Sequence, residues 1–369
     1  MTEPDWQLSV LRDLGAGQDE PTNGAALDAG RLDHLQPPPY QPPPAYQPQP
    51  YQPYQPAPEP VRPPEPVGLT PEALLRARRH GDPLARRLGQ RARELGGSAA
   101  QEARRTVGIS QQLAQPVTTG RRIAVASVRG GAGKSTVAAL LGSALAAHRI
   151  DRILAVDADP YLGSLGPRLG AASPLPVRVF GPAGPSTFRD FGEAEPYLAH
   201  VAGRLWALTG DAGSAAETGL ELDAFRAATA ALARFFAVTV TDAGAGLLTE
   251  LNRGIVAGAH ALVLVAPSTV DGVMSAGRAL AWLAAGPLAG LAGRTVIVLN
   301  AISPEASAID AGRASAALAA TGPVVVRLPF DRHLASGSLL DPYLLGAGTR
   351  TALLEIAAEA LTRATWAGS

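Results

Sequence analysis

The sequence predicts an α/β fold: a mostly parallel, doubly wound sheet with helices on both faces, preceded by a disordered Pro-rich tail and a short helical arm. Three observations carry this. From Arg121 onward, short apolar runs rich in Val and Ile alternate with Ala/Leu-rich helical stretches. Most of those runs are continuous rather than polar-alternating, which suits strands buried on both faces of a parallel sheet. Upstream, fifteen of the thirty residues 37–66 are proline, which excludes both helix and sheet there.

Four segments follow from this reading. Residues 1–36 are an acidic head, with seven Asp/Glu against Arg12 and Arg31. Its apolar stretch, Trp6 to Leu14, suits a small amphipathic helix docking on a partner, but without tertiary support such a helix is marginal, so the head is expected to be mostly disordered. Residues 37–66 interleave proline with Gln and with Tyr40, Tyr46, Tyr51 and Tyr54. They should form extended polyproline II, serving either as a ligand for an aromatic groove or as a spacer. Residues 67–120 form a basic helical arm. Arg76, Arg78, Arg79, Arg86, Arg87, Arg91, Arg93, Arg104 and Arg105 face four acidic residues, and Thr70-Pro71-Glu72 reads as a helix start. The arm is a solvated linker or a contact for anionic lipid, nucleic acid or the acidic head. A protein partner is therefore expected through residues 1–120.

Residues 121–369 hold the folded domain. Strands are expected at 122–128, 152–157, 204–208, 236–242, 261–266, 294–300 and 324–328, with long helices at 135–148, 221–235, 270–285, 306–320 and 349–365.

Composition removes several functions. Cysteine is absent, which excludes disulfides, thiolate zinc sites and cysteine-ligated iron–sulfur clusters. Net charge is zero, so no bulk field draws the chain to nucleic acid. No apolar run reaches the length of a bilayer span, and the first residues are acidic rather than signal-like, so a cytoplasmic protein is expected. Of 32 Lys and Arg residues, Lys134 is the one lysine. Arginine has replaced lysine wherever arginine serves. At position 134 a compact ammonium is required, one that fits inside a tight loop of backbone amides where a planar guanidinium does not.

That lysine lies in Arg129-Gly130-Gly131-Ala132-Gly133-Lys134-Ser135-Thr136, between the first expected strand and a helix. Glycines let amides turn inward on phosphate oxygens, and the helix adds its positive N-terminal end. Lys134 can reach the β- and γ-phosphates, the Ser135 hydroxyl can ligate Mg²⁺, and Thr136 can bond a further phosphate oxygen. Aspartates ending apolar strands, Asp157 and Asp242, sit where such sheets bind ligands, although strand-end aspartates also cap turns.

The loop has Val128 where the common P-loop has glycine, and it resembles the deviant P-loop of the MinD/ParA ATPases. The resemblance spans residues 121–365. Asp157-Ala158-Asp159-Pro160 is similar to that family's second acidic motif, which implies Asp157 near Mg²⁺ and Asp159 aligning the attacking water. Asp242, followed by Ala243-Gly244-Ala245-Gly246, looks like the Walker B aspartate and switch II, and Ala257 to Asp271 like the strand that follows. Asn300 matches an adenine-contacting Asn, and Leu328-Pro329-Phe330-Asp331 resembles the loop closing over the base. The family's first lysine, which reaches into the other subunit's site in the ATP dimer, is Arg129 here. Arginine can neutralise phosphate charge, but with a bulkier fork.

The resemblance implies ATP and Mg²⁺ as ligands, a homodimer when ATP-bound, and slow, partner-stimulated hydrolysis of ATP to ADP and phosphate. Domain order and composition look like the MinD-like ATPases of type VII (ESX) secretion, implying recruitment to a membrane machine. A chromosome or plasmid partition ATPase is the alternative, as is a nucleotide-binding scaffold working through its tail. A bacterial tyrosine kinase fits less well, because the tyrosines are N-terminal and no membrane span exists. No lipid anchor is evident, since Glu355 and Glu359 offset Arg350 and Arg363 in the last helix. No DNA field is evident either, with 20 basic against 19 acidic residues over 121–369.

Overall fold

The first structured strand, β1 (Arg121–Ser127), shows why the sheet is covered on both sides. Ile123 and Val125 join one apolar cluster, while Ala124 and Ala126 join another on the opposite face. The remaining strands are β2 (Ile153–Ala158), β3 (Ala199–Ala202), β4 (Leu205–Leu208), β5 (Val238–Ala245), β6 (Ala261–Pro267), β7 (Thr295–Asn300) and β8 (Val324–Leu328). Their order is β3-β4-β2-β5-β1-β6-β7-β8, parallel throughout except where β3 runs against β4. The computed structural model describes residues 107–159, 163–172, 175–181, 184–210, 220–304 and 310–366, all within the compact unit Val61–Ser369. The expectations for the acidic head, the Pro-rich stretch and the arm up to residue 106 lie outside the described residues.

All seven expected strands are present, with ends shifted by a few residues. Strand β3 is additional. It is a four-residue edge strand whose residues are alternately half-buried and exposed, and Gly203 (φ 56°) turns it into β4.

Helices α1 (Lys134–His148) and α6 (Ala347–Thr365) cover one face, with Val137, Leu141, Leu145, Leu353, Ile356 and Leu361 buried. The last helix is therefore a packing element, as its sequence suggested. Helices α2 (Leu222–Leu232), α3 (Glu250–Ala257), α4 (Val270–Ala285) and α5 (Ala311–Ala319) cover the other. That second face also carries an aromatic cluster in which Phe191 meets Trp206, Phe235 and Phe236, and the Arg152 guanidinium lies 4.1 Å above the Phe191 ring.

The chain joins this core before its first strand. Residues 107–113 are helical, and Ile109 and Leu113 are buried beneath the α1/α6 layer. Arg149 holds them: Nη1 donates to the carbonyls of Leu113 (2.5 Å) and Gln115 (2.9 Å), and Nη2 to Asp151 (2.5 Å). Replacing Arg149 with alanine strands the buried Leu113 carbonyl and frees the partly buried Gln115 carbonyl, so urea unfolding should show a loss of about 1–3 kcal/mol. Lysine should restore little of it, lacking the fork that spans both acceptors. A loss below about 0.5 kcal/mol for Arg149→Ala, the scale of an ordinary surface change, would show that these contacts do not hold the segment.

Candidate nucleotide site

The turn from β1 into α1 is built to leave amides open. Gly131 (φ 75°) and Gly133 (φ 88°) occupy the left-handed region, which reverses the chain without a Cβ penalty. At Gly133 a Cβ would lie 2.3 Å from Asn300 Nδ2. The Ser127 hydroxyl, buried at the end of β1, donates to the Arg129 carbonyl at 2.8 Å and fixes the start of the loop. Helix α1 then begins at Lys134 with no side-chain cap and no acid in its first turn. Its first amides thus remain unpaired donors at the positive end of a fifteen-residue helix, as an anion site requires.

Lys134 is buried, and its Nζ lies 3.2 Å from Asp242 Oδ1. Asp242 is fully buried, and its Oδ2 has no partner. Burial pushes the Asp242 carboxyl up, opposed by Lys134 and the Ser135 hydroxyl. The parallel register sets Asp157 of β2 directly beside Asp242 of β5. Asp157 accepts from the amides of Asp159 and Leu165, both at 3.1 Å, yet its carboxyl is pushed up to about 7 by burial and by Asp242. Two buried, like-charged carboxylates with one oxygen left unbonded make an incomplete electrostatic arrangement that a cation completes.

Sequence-selected residues converge here unevenly. Lys134, Ser135, Asp157 and Asp242 meet at the C-terminal edge of the sheet, with Asp159 near enough to act on both aspartates. Thr136 is buried in the first turn of α1. Gly130 and Gly131 are exposed, and Ala132 is buried. Asn300 comes from β7 and donates to the Ala132 carbonyl at 2.9 Å, so in this structure its amide braces the phosphate loop. Arg129 reaches Asp271 at the start of α4 as a two-pronged pair (2.7 and 2.9 Å), with both side chains about half exposed. Asp331 spends its carboxylate on its own backbone, accepting from His333 (2.9 Å), Leu334 (3.5 Å) and Gly346 (2.9 Å). Burial acts to raise the Asp331 carboxyl, but the Gly346 amide, the Thr349 hydroxyl and the His333 and Leu334 amides outweigh it and hold it below the usual range. Pro329, in the same loop, is exposed.

Two contributors escaped the sequence reading. Asp271 is one. The other is Asn252 of α3, buried at 2% exposure, which grips the segment after Asp242. Its Oδ1 accepts from Gly244 N (3.1 Å), and its Nδ2 donates to the carbonyls of Gly244 (3.1 Å) and Gly246 (2.5 Å). The available signal was Thr249, three residues earlier, whose hydroxyl accepts from Asn252 N and caps α3.

Residues 123–281 match the family model of the CobQ/CobB/MinD/ParA nucleotide binding domain. Over those residues the chain is similar to the nucleotide-binding domains of the MinD/ParA family.

Among individual proteins, it is 33% identical over 240 residues to the ESX-1 secretion-associated protein EspI of Mycobacterium tuberculosis. That match covers 64% of this chain and 36% of EspI, so the chain spans little more than a third of that relative. Among solved structures, the ParA family ATPase from Chlorobium tepidum TLS matches with TM-score 0.54 at 20% identity, over 64% of this chain and 98% of that one. The Pyrococcus furiosus cell division ATPase MinD matches with TM-score 0.50 at 19% identity, over 65% and 98%. At these identities the likeness is one of fold. Among the described residues, no helix is long and apolar enough to cross a membrane.

Proposed function

We propose that this chain is an ATP-binding and ATP-hydrolysing switch of the MinD/ParA type, acting on a secretion machinery through ATP-dependent dimerisation. The observation that carries the reading is the buried Lys134 ammonium, held 3.2 Å from a fully buried Asp242 at the mouth of an uncapped helix. A polyphosphate supplies acceptors for the open amides and additional negative charge beside the ammonium, which Asp242 alone does not.

The residues present also fit Mg²⁺. Among the described residues no group of three or more His, Cys, Asp or Glu could hold a metal unaided. Mg²⁺ needs no such cage, because one or two carboxylates plus substrate phosphates suffice. Ser135, Asp157 and Asp242, with its unbonded Oδ2, would hold it. Bound there, it neutralises charge on the β- and γ-phosphate oxygens. The chain's own residues do the rest. Lys134 and the loop amides of residues 130–136 orient the phosphates, and Asp159 positions the attacking water. Asn300 and Pro329 border the base, and the capping work of Asp331 holds their neighbouring loop in place.

The likeness to EspI supports a secretion machine as the site of action, reached through residues 1–120. A second reading, a scaffold that binds ATP and scarcely hydrolyses it, is favoured by one contact: Arg129 is committed to Asp271 within its own chain. In the switch reading Arg129 must leave Asp271 to reach a second copy. An exposed pair of this kind is worth at most about 1 kcal/mol, so Asp271→Ala should raise basal ATP turnover by up to about five-fold. Arg129→Ala should lower turnover. Steady-state hydrolysis of the full chain decides between them. If wild type turns over no faster than Lys134→Ala while still binding ATP, the scaffold reading holds.

A further inference from the structure

Arg168 lies in the short helix Leu165–Leu169 that follows β2, and its guanidinium is the odd group at this end of the sheet. Its Nε and Nη1 are buried and donate to nothing. Buried N–H groups without acceptors are costly, since each has lost its water and gained no partner. The backbone around it is tightly held. Leu165 N donates to Asp157 at 3.1 Å, Leu340 N donates to the Arg168 carbonyl at 2.8 Å, and a Cβ on Gly166 would come within 2.7 Å of the Ala171 carbonyl. The position of the residue is therefore fixed by contacts that do not involve its side chain.

The surroundings say what is missing. The helix that carries Arg168 begins at Leu165, whose amide bonds Asp157, and Asp157 lies in register beside Asp242, so Arg168 stands less than one turn along a helix that starts at the two carboxylates. Asp242 is also among the charges acting on its guanidinium. Asp242 itself keeps a buried, unbonded Oδ2. The molecule thus holds a cationic and an anionic group near one spot and hydrogen-bonds neither of these ends. Sheet order gives the direction. Lys134 enters from the β1 end and Arg168 from β2, with β5 and Asp242 between them. A phosphate chain that starts at the loop after β1 and extends across β5 brings its terminal group toward Arg168.

We propose that Arg168 is a second phosphate ligand supplied by the same chain, holding the terminal phosphate so that the site distinguishes a nucleoside triphosphate from a diphosphate. This rests on the ATPase reading above, and it assigns to one chain a contact that would otherwise await a partner. The side chain leaves its unbonded state when the terminal phosphate is present and returns to it when that phosphate departs.

Titrating the full chain with Mg²⁺ and either a non-hydrolysable ATP analogue or ADP tests this in wild type, Arg168→Ala and Arg168→Met. Loss of a charge-assisted phosphate contact should weaken the triphosphate analogue by about 10- to 100-fold and leave ADP within about two-fold. The melting temperature without nucleotide should hold or rise in Arg168→Met, which keeps the packing and removes unsatisfied donors. Equal weakening of both nucleotides, unchanged triphosphate affinity, or a nucleotide-free melting temperature that falls in both variants would overturn the assignment. Wild type binding neither nucleotide would instead sink the ATPase reading itself.

Discussion

Lys134→Ala should lose ATP binding by about 100-fold or more, the scale of a charged hydrogen bond to phosphate in a buried site. It should also destabilise the nucleotide-free chain. Asp242 is fully buried, and Lys134 is its cationic neighbour at 3.2 Å. Removing one partner of a buried pair typically costs about 3–5 kcal/mol, because the other charge stays behind. Part of this is recovered when Asp242 takes up a proton, which burial already favours. The double variant Lys134→Met/Asp242→Asn separates the two losses. It should regain most of the nucleotide-free stability in urea unfolding and none of the ATP affinity. ATP binding by Lys134→Ala within a few-fold of wild type would show that the loop holds phosphate without its lysine and would refute the central assignment.

Asp157→Asn should make the nucleotide-free chain more stable at pH 8 while weakening its response to Mg²⁺ and ATP. The Asp157 carboxyl is pushed from 3.8 up to about 7, first by burial and then by Asp242. The folded state therefore holds this proton more tightly than the unfolded chain. Its contribution to stability is fully present below about pH 4 and is lost as pH rises to about 7. The loss has a ceiling of about 4 kcal/mol. Asparagine does not titrate, but it gives up one acceptor for the Asp159 and Leu165 amides, at about 1 kcal/mol. The net gain at pH 8 is about 2–3 kcal/mol, or roughly 5–10 °C for a domain of this size. His260, pushed down to about 4 first by burial and then by Arg122, Arg121 and Arg294, titrates in the same window. It does so in both proteins and drops out of the difference. Thermal melts of the pair from pH 4 to 8, with and without Mg²⁺ and ATP, check this. A variant less stable than wild type at pH 8 without ligand would show that the two carboxylates do not oppose each other. Such a cost in stability is what a site poised for a cation carries.

Lys134 and the strands buried on both faces were legible because each depends on local chemistry. Glycines that need positive φ, a helix that starts without a cap, and continuous Val/Ile runs all leave marks within a few residues. The pairing of Asp157 with Asp242 was legible only as two strand-end acids. Their side-by-side placement comes from the β2–β5 register, which joins residues 85 positions apart. Arg129 with Asp271 and Asn300 with Ala132 are likewise tertiary meetings between distant segments. Strand β3 was missed because an exposed edge needs no apolar run, and α3 because its eight residues give little more than two turns of pattern, although Leu251, Ile255 and Val256 do share a buried face. The helix holding Arg168 contains Gly166 and Pro167, which read as breakers. Packing against Thr209 and Ala171 overrides that preference.

The place of β1 in the sheet bears on how the protein is made. It is first to leave the ribosome but lies between β5 and β6, whose last residue is Pro267. Translation at about 5–20 residues per second leaves the nascent β1 without at least one of its two native neighbours for about 7–30 s. The glycine-rich loop hangs from the end of that strand, so on the proposed function a nascent chain would acquire its grip on nucleotide late, when the centre of the sheet closes rather than when Lys134 emerges.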